Sequence, residues 1–136
     1  MFFIQTIAVS LGAGLLTWLL NHRLQRGPVL SSAVVTLTAG LVLPELFAQG
    51  GALVPMAACA SYVSMSSDTC LSKLWQTALA LALAAVLYVA SAGIFAGVGG
   101  KGGTIAAICV MAVWGGTQII KGLVQKKAAD FFARLF

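Results

Sequence analysis

An all-α bundle that crosses a lipid bilayer about five times is the fold class this sequence predicts, and three observations predict it. Only 11 of 136 residues are charged, whereas 60% are hydrophobic; a soluble domain carries about a quarter charged residues. The charges are not scattered. Arg23, Arg26, Glu45, Asp68, Lys73, Lys101 and a tail beginning at Lys121 cut the chain into Met1–His22, Gly27–Pro44, Leu46–Ser67, Leu74–Gly100 and Gly102–Ile120. Third, fifteen glycines and many alanines and serines supply the small residues that let helix backbones approach closely in lipid.

A membrane-crossing helix needs about 20 apolar residues at ~1.5 Å rise to cover a ~30 Å hydrocarbon core. The first segment, near residues 2–20, meets that length. No charge precedes its apolar core, and Arg23 and Arg26 follow it, the reverse of a cleavable signal. It is expected to be an uncleaved span whose N-terminus faces away from the cytoplasm. The second, near 29–48, fits with Pro44 and Glu45 at its outer boundary. The third, near 52–65, is short: about 21 Å of helix at the usual rise, with Pro55 expected in its first turn. It is either a short span sheltered by its neighbours or a re-entrant piece, since irregular backbone at membrane depth persists only inside protein or beside a wet cavity. The fourth, near 74–98, is long enough to tilt. Its Ala78-Leu-Ala-Leu-Ala-Leu-Ala84 run alternates like a strand, but a lone strand leaves its backbone unpaired in lipid, so helix is expected. The fifth, near 104–120, is slightly short but adequate.

Residues 1–120 are thus read as the transmembrane bundle and 121–136 as a cytoplasmic amphipathic tail. Ala128, Phe131, Phe132, Leu135 and Phe136 share one helical face, and Lys126, Asp130 and Arg134 the other at i, i+4 spacing. That pattern suits a helix lying in the membrane interface; the plainer alternative is an extension of the fifth helix. Short loops rich in Lys and Arg stay cytoplasmic. Five crossings place Arg23, Arg26, Lys73, Lys121, Lys126, Lys127 and Arg134 inside, with Lys101 alone outside. The expected location is the cell membrane, multi-pass, with the C-terminus cytoplasmic. The net charge of +5 flanks apolar segments, so anionic lipid head groups are the expected partners and nucleic acid is not.

Two helix starts look alike. Gly27-Pro-Val-Leu-Ser-Ser-Ala-Val-Val35 can be laid over Gly102-Gly-Thr-Ile-Ala-Ala-Ile-Cys-Val110, a register that carries Gly40 onto Gly115. Inverted-topology repeats are a common transporter plan, although nine small or apolar positions are also what unrelated membrane helices share.

Enzyme signatures are absent from the sequence, and no cofactor or metal site is expected. His22 is the single histidine, there is no HExxH, and Cys59, Cys70 and Cys109 form no CxxC pair. The loop Gly97-Val-Gly-Gly-Lys-Gly-Gly-Thr104 invites an anion-binding reading, but it lacks the Lys-Ser/Thr step of a Walker A loop. Three readings of it stand: a tight turn with Lys101 snorkelling to lipid phosphate, a pore mouth or gate, or a packing platform built on Gly93-x-x-x-Gly97 and Gly99-x-x-x-Gly103, with Gly100 and Gly102 between. Ser61, Ser64 and Ser67 fall near one helical face beside Asp68; they offer oxygen ligands to a cation or simply cap a helix end. Glu45 is a boundary residue unless it points inward, where it becomes a proton or cation site. The candidate pathway residues are therefore Lys101, Glu45, Asp68, Ser61, Ser64 and Ser67. The function expected is a homo-oligomeric channel or transporter for an ion or small solute. The alternative is a non-catalytic structural or assembly subunit of a larger membrane complex.

Overall fold

The computed structural model describes residues 2–24, 27–66, 69–94 and 100–135, without the side chains of Phe2, Leu24 and 127–135. These residues form five helices and no strand: α1 (Phe2–Leu24), α2 (Pro28–Leu46), α3 (Gly50–Ser64), α4 (Leu74–Ala90) and α5 (Lys101–Leu135). Three of them, α1, α2 and α5, are long and apolar enough to cross a membrane; α3 and α4 are shorter apolar helices. The Ala/Leu alternation at 78–84 lies inside α4, as backbone satisfaction in lipid demands.

Helix α3 is the centre of the bundle and packs on all four others. Around it, α1 touches α2 and α4, and α4 touches α1 and α5. Among the described residues, α2 and α5 pack on no helix other than α3 and their own hairpin partner. The packing scheme is unchanged when α1 is exchanged with α4 and α2 with α5. Leu53, Met56, Ala57, Cys59, Ala60, Ser61 and Val63 of α3 are fully buried. A stripe of Gly51, Pro55 and Tyr62, on the side left open between α2 and α5, stays exposed.

Small residues set these close approaches. On α1, Thr6, Ser10, Gly14 and Thr17 form one buried stripe at i, i+4, i+8 and i+11. There the Ser10 hydroxyl donates to the Leu81 carbonyl at 2.9 Å, and a Cβ on Gly14 would stand 2.3 Å from Leu81 Cδ2. Residues 47–49 turn the chain so tightly that a Cβ on Gly50 would lie 1.8 Å from the Leu43 carbonyl oxygen. On α5, Gly102 rests on Cys59, whose thiol donates to the Gly102 carbonyl at 3.2 Å.

Several expected boundaries move. Pro55 lies beyond the first turn of α3 and inside the helix, so the Gly51 carbonyl loses the N–H it would otherwise accept. Pro44 does the same to the Gly40 carbonyl of α2. Helix α4 ends at Ala90 rather than near residue 98, because Ser91 closes the turn: its N–H donates to the Leu87 carbonyl at 2.9 Å and its hydroxyl to the Tyr88 carbonyl at 3.3 Å. Helix α5 starts at Lys101 instead of Thr104 and runs unbroken to Leu135, so the tail is an extension of the fifth helix and not a separate element. The faces expected of that tail fall on side chains outside the described residues.

The two similar helix starts are real, but in another register. Gly27 (φ 87°) precedes α2 and Gly100 (φ 90°) precedes α5, a left-handed conformation that favours glycine. Four residues on, Ser31 returns both its N–H (3.2 Å) and its hydroxyl (2.9 Å) to the Gly27 carbonyl. Thr104 returns both (3.0 and 3.1 Å) to the Gly100 carbonyl. The geometry therefore matches Gly27 with Gly100, not with Gly102.

Candidate functional site

The expected site residues fall into three places. Lys101 opens α5, where the positive end of the helix dipole disfavours a cation. Its ammonium reaches back to the other hairpin arm, donating to the carbonyl of Ser91 and lying 5.5 Å over the Tyr88 ring. Lysine thus caps the carbonyl end of α4, with a cation–π contact in support. Gly93 and Gly103 have no neighbour within 4 Å of where a Cβ would stand, and Gly97 and Gly99 lie outside the described residues. Of the six glycines, Gly100 serves backbone conformation and Gly102 serves close packing. Glu45 is exposed on the last turn of α2 and does not point into the bundle. Asp68 and Ser67 lie outside the described residues.

Ser61 and Ser64 are both buried near the C-terminal end of α3. Ser61 is the hub of a hydroxyl cluster across the α2–α3 seam. Its Oγ stands 2.8 Å from Ser32 Oγ and 3.3 Å from Thr36 Oγ1, and it donates to the Ala58 carbonyl at 2.8 Å. Ser64 Oγ, one turn further, is 2% exposed and has no hydrogen-bond partner among the described residues. Thr77 Oγ1 on α4 shares that condition at 1% exposure. Other helix hydroxyls bond back to their own backbone: Thr17 to Ala13, Thr38 to Val34 and Thr117 to Trp114.

Two members of the cluster, Ser32 and Thr36, line a groove of about 580 Å³ between α2 and α3, with Ser61 buried behind them. Ser32, Thr36 and Gly40 recur every four residues along its α2 side, with Tyr62 and Met65 on the α3 side and Val29, Ala33, Leu37 and Leu41 around them. Among the described residues, no ionisable carboxylate, amine or imidazole lines it. The volume suits a small molecule. Ser32 and Thr36 are the residues sequence reasoning missed. Their i, i+4 spacing with Gly40, one turn before Pro44, was the available signal.

No three of His, Cys, Asp and Glu gather into a possible metal centre among the described residues. His22 donates from Nδ1 to the Trp18 carbonyl at 2.9 Å and stacks on the Trp18 ring at 4.3 Å, the behaviour of a polar residue at a helix end. Cys59, Cys70 and Cys109 are free thiols, two of them buried. The fold and groove together define an all-helical bundle whose three long apolar helices fit a membrane location. Comparison with protein-family models, curated proteins and solved structures finds no match to this chain.

Proposed function

We propose that this chain is a multi-pass transport protein of the cell membrane, working as a homo-oligomer, whose solute route follows the α2–α3 seam. One observation carries the reading: a groove with Ser32 and Thr36 on its wall runs along the first two-thirds of α2 and the C-terminal end of α3, in a bundle whose packing repeats about a short, proline-bearing central helix. Buried polar groups in a membrane bundle are costly unless they serve packing or passage, and repeat interfaces around interrupted helices are where transporters bind solute. In the five-crossing arrangement, α1–α2 and α4–α5 are hairpins of opposite topology, and α3 lies on the axis between them. The 15 and 17 residues of α3 and α4 give about 22 and 25 Å of helix, enough to cross where longer neighbours shelter their ends. Arg23, Lys73 and Lys121 then share the cytoplasmic side with the C-terminus. A second copy laid against α2 covers the open side of the groove, which lipid tails otherwise face.

The test is solute flux from purified protein in liposomes, followed by stopped-flow light scattering with glycerol, urea, NaCl and KCl gradients. Vesicles holding wild type are expected to equilibrate faster than empty ones for at least one solute. Ala33→Trp, which fills the groove from an exposed position on α2, is expected to slow them. Equal rates in protein-containing and empty vesicles for all four solutes refute passage of those solutes.

A further inference from the structure

The protons of the hydroxyl cluster determine what the groove can bind. Ser61 has one hydroxyl hydrogen, and its bond to the Ala58 carbonyl at 2.8 Å uses it, because a carbonyl only accepts. The 2.8 Å contact to Ser32 and the 3.3 Å contact to Thr36 must then run toward Ser61, with Ser32 and Thr36 as donors. Ser61 Oγ thereby fills both lone pairs. Ser32 and Thr36 have spent their only hydrogens and keep lone pairs, and both residues line the groove. Gly40, also on the lining, has a carbonyl deprived of the residue-44 N–H by Pro44. Three successive turns of α2 therefore offer acceptors along about 12 Å of helix, and Tyr62 is the one lining side chain whose hydrogen is not already assigned.

We infer that the groove is a binding site for small, uncharged, amphipathic molecules whose polar end carries hydrogen-bond donors, such as alcohols or amides. The inference rests on the transport reading for its biological sense, not for its chemistry. An apolar body fits against Val29, Ala33, Leu37, Leu41 and Met65, while a donor meets Ser32 or Thr36. An acceptor-only ligand such as an ether can accept from Tyr62 alone and leaves the Ser32 and Thr36 lone pairs unpaired in a low-dielectric site, which is what makes donor matching selective. Carboxylates and phosphates are disfavoured because the described lining offers them one donor, Tyr62, and no cation. A cation finds no counter-charge among the described lining residues, and the groove volume far exceeds the close oxygen cage such an ion needs.

The experiment compares 1-hexanol with methyl pentyl ether, isomers of one formula, by NMR of the protein labelled with ¹³C-tyrosine in micelles. The sequence has two tyrosines: Tyr62 lines the groove, while Tyr88 lies under Lys101 and serves as the internal control. Hexanol is expected to shift the Tyr62 ring saturably and leave Tyr88 unmoved, with the ether at least about tenfold weaker. Thr36→Val, which keeps the shape and removes one acceptor, is expected to weaken hexanol several-fold toward the ether. Ser61→Ala frees the Ser32 and Thr36 hydrogens, so the ether is expected to gain and the discrimination to shrink. Equal binding of the two isomers by wild type, no saturable Tyr62 shift with hexanol, or a saturable shift with NaCl or hexylammonium chloride at lower concentration than hexanol overturns the inference. Binding without flux leaves it standing and removes the transport reading; flux without isomer discrimination does the opposite.

Discussion

Gly14 and Leu81 form a contact whose energetics can be worked from the geometry. A Cβ on Gly14 would stand 2.3 Å from Leu81 Cδ2 and 2.6 Å from Cδ1, against a normal carbon–carbon separation of ~3.5 Å. The missing distance of about 1.2 Å cannot be recovered by a rotamer change alone, because Leu81 is fully buried. Nor can α1 easily withdraw from α4, since the Ser10 bond to the Leu81 carbonyl fixes their separation one turn away. Overpacking of this kind costs about 1–3 kcal/mol, more than the ~1 kcal/mol that alanine gains over glycine in a helix. Gly14→Ala should therefore lower stability by up to about 2 kcal/mol. Leu81→Ala alone should cost about 2–4 kcal/mol through the cavity it opens. In the double variant the new methyl enters that cavity, so its loss should fall at least about 1 kcal/mol short of the sum of the two single losses. Reversible unfolding in mixed micelles, titrated with SDS and followed by circular dichroism, measures all four corners of the cycle. Additive losses would refute the close approach of α1 and α4 at this position.

Gly50→Ala places a methyl 1.8 Å from the backbone oxygen of Leu43 and should cost about 3 kcal/mol or prevent folding; Gly51→Ala next to it meets nothing within 4 Å and should be neutral or slightly stabilising in the same titration. Thr77→Val removes a buried hydroxyl that has no partner among the described residues, and should raise stability by about 1 kcal/mol. Lys101→Met loses the cap on α4 and the contact with Tyr88, an expected cost of about 1 kcal/mol with hexanol binding at Tyr62 unchanged. An equal loss of hexanol affinity in that variant would show that Lys101 belongs to the groove and not to the hairpin.

The five helices were legible because charge and glycine punctuate the apolar runs, and those breaks coincide with helix ends at Leu24–Pro28, Leu46–Gly50 and Ser64–Leu74. What hydropathy cannot encode is which face of a helix meets protein and which meets lipid, since both are apolar. Segment three therefore stood out as short and proline-bearing, while the faces it turns to its four neighbours had no signal in hydropathy. The ends that moved did so through polar geometry: Ser91 closing α4, and Gly100 with Thr104 starting α5 three residues early. The site was half legible. Ser61 and Ser64 stood out as a polar face, but residue type alone does not distinguish Ser32 and Thr36 from a hydroxyl such as Thr38, which bonds its own backbone. Only the packing of α2 on α3 makes them a cluster.

That packing also explains why two equivalent seams behave differently. The exchange that maps α2 onto α5 pairs the α2–α3 seam with the α3–α5 seam, and both helices enter through the same glycine–hydroxyl start. Yet α5 meets α3 through Gly102, Ile105, Ala106 and Cys109, small and apolar side chains that close against Cys59 and the core. Helix α2 meets α3 through Ser32 and Thr36, whose hydrogen bonds hold the seam at hydroxyl–hydroxyl distance and leave a groove beside it. Close packing gains dispersion with every contact, whereas a hydroxyl pair is directional and exchangeable for a ligand's donor at little net cost. Replacing Ser32 and Thr36 together by alanine and valine should make the two seams alike; it is expected to abolish hexanol binding at Tyr62 while leaving the SDS midpoint within about 1 kcal/mol of wild type. A loss of several kcal/mol would show that the hydroxyls hold the bundle together and are not free to serve a ligand.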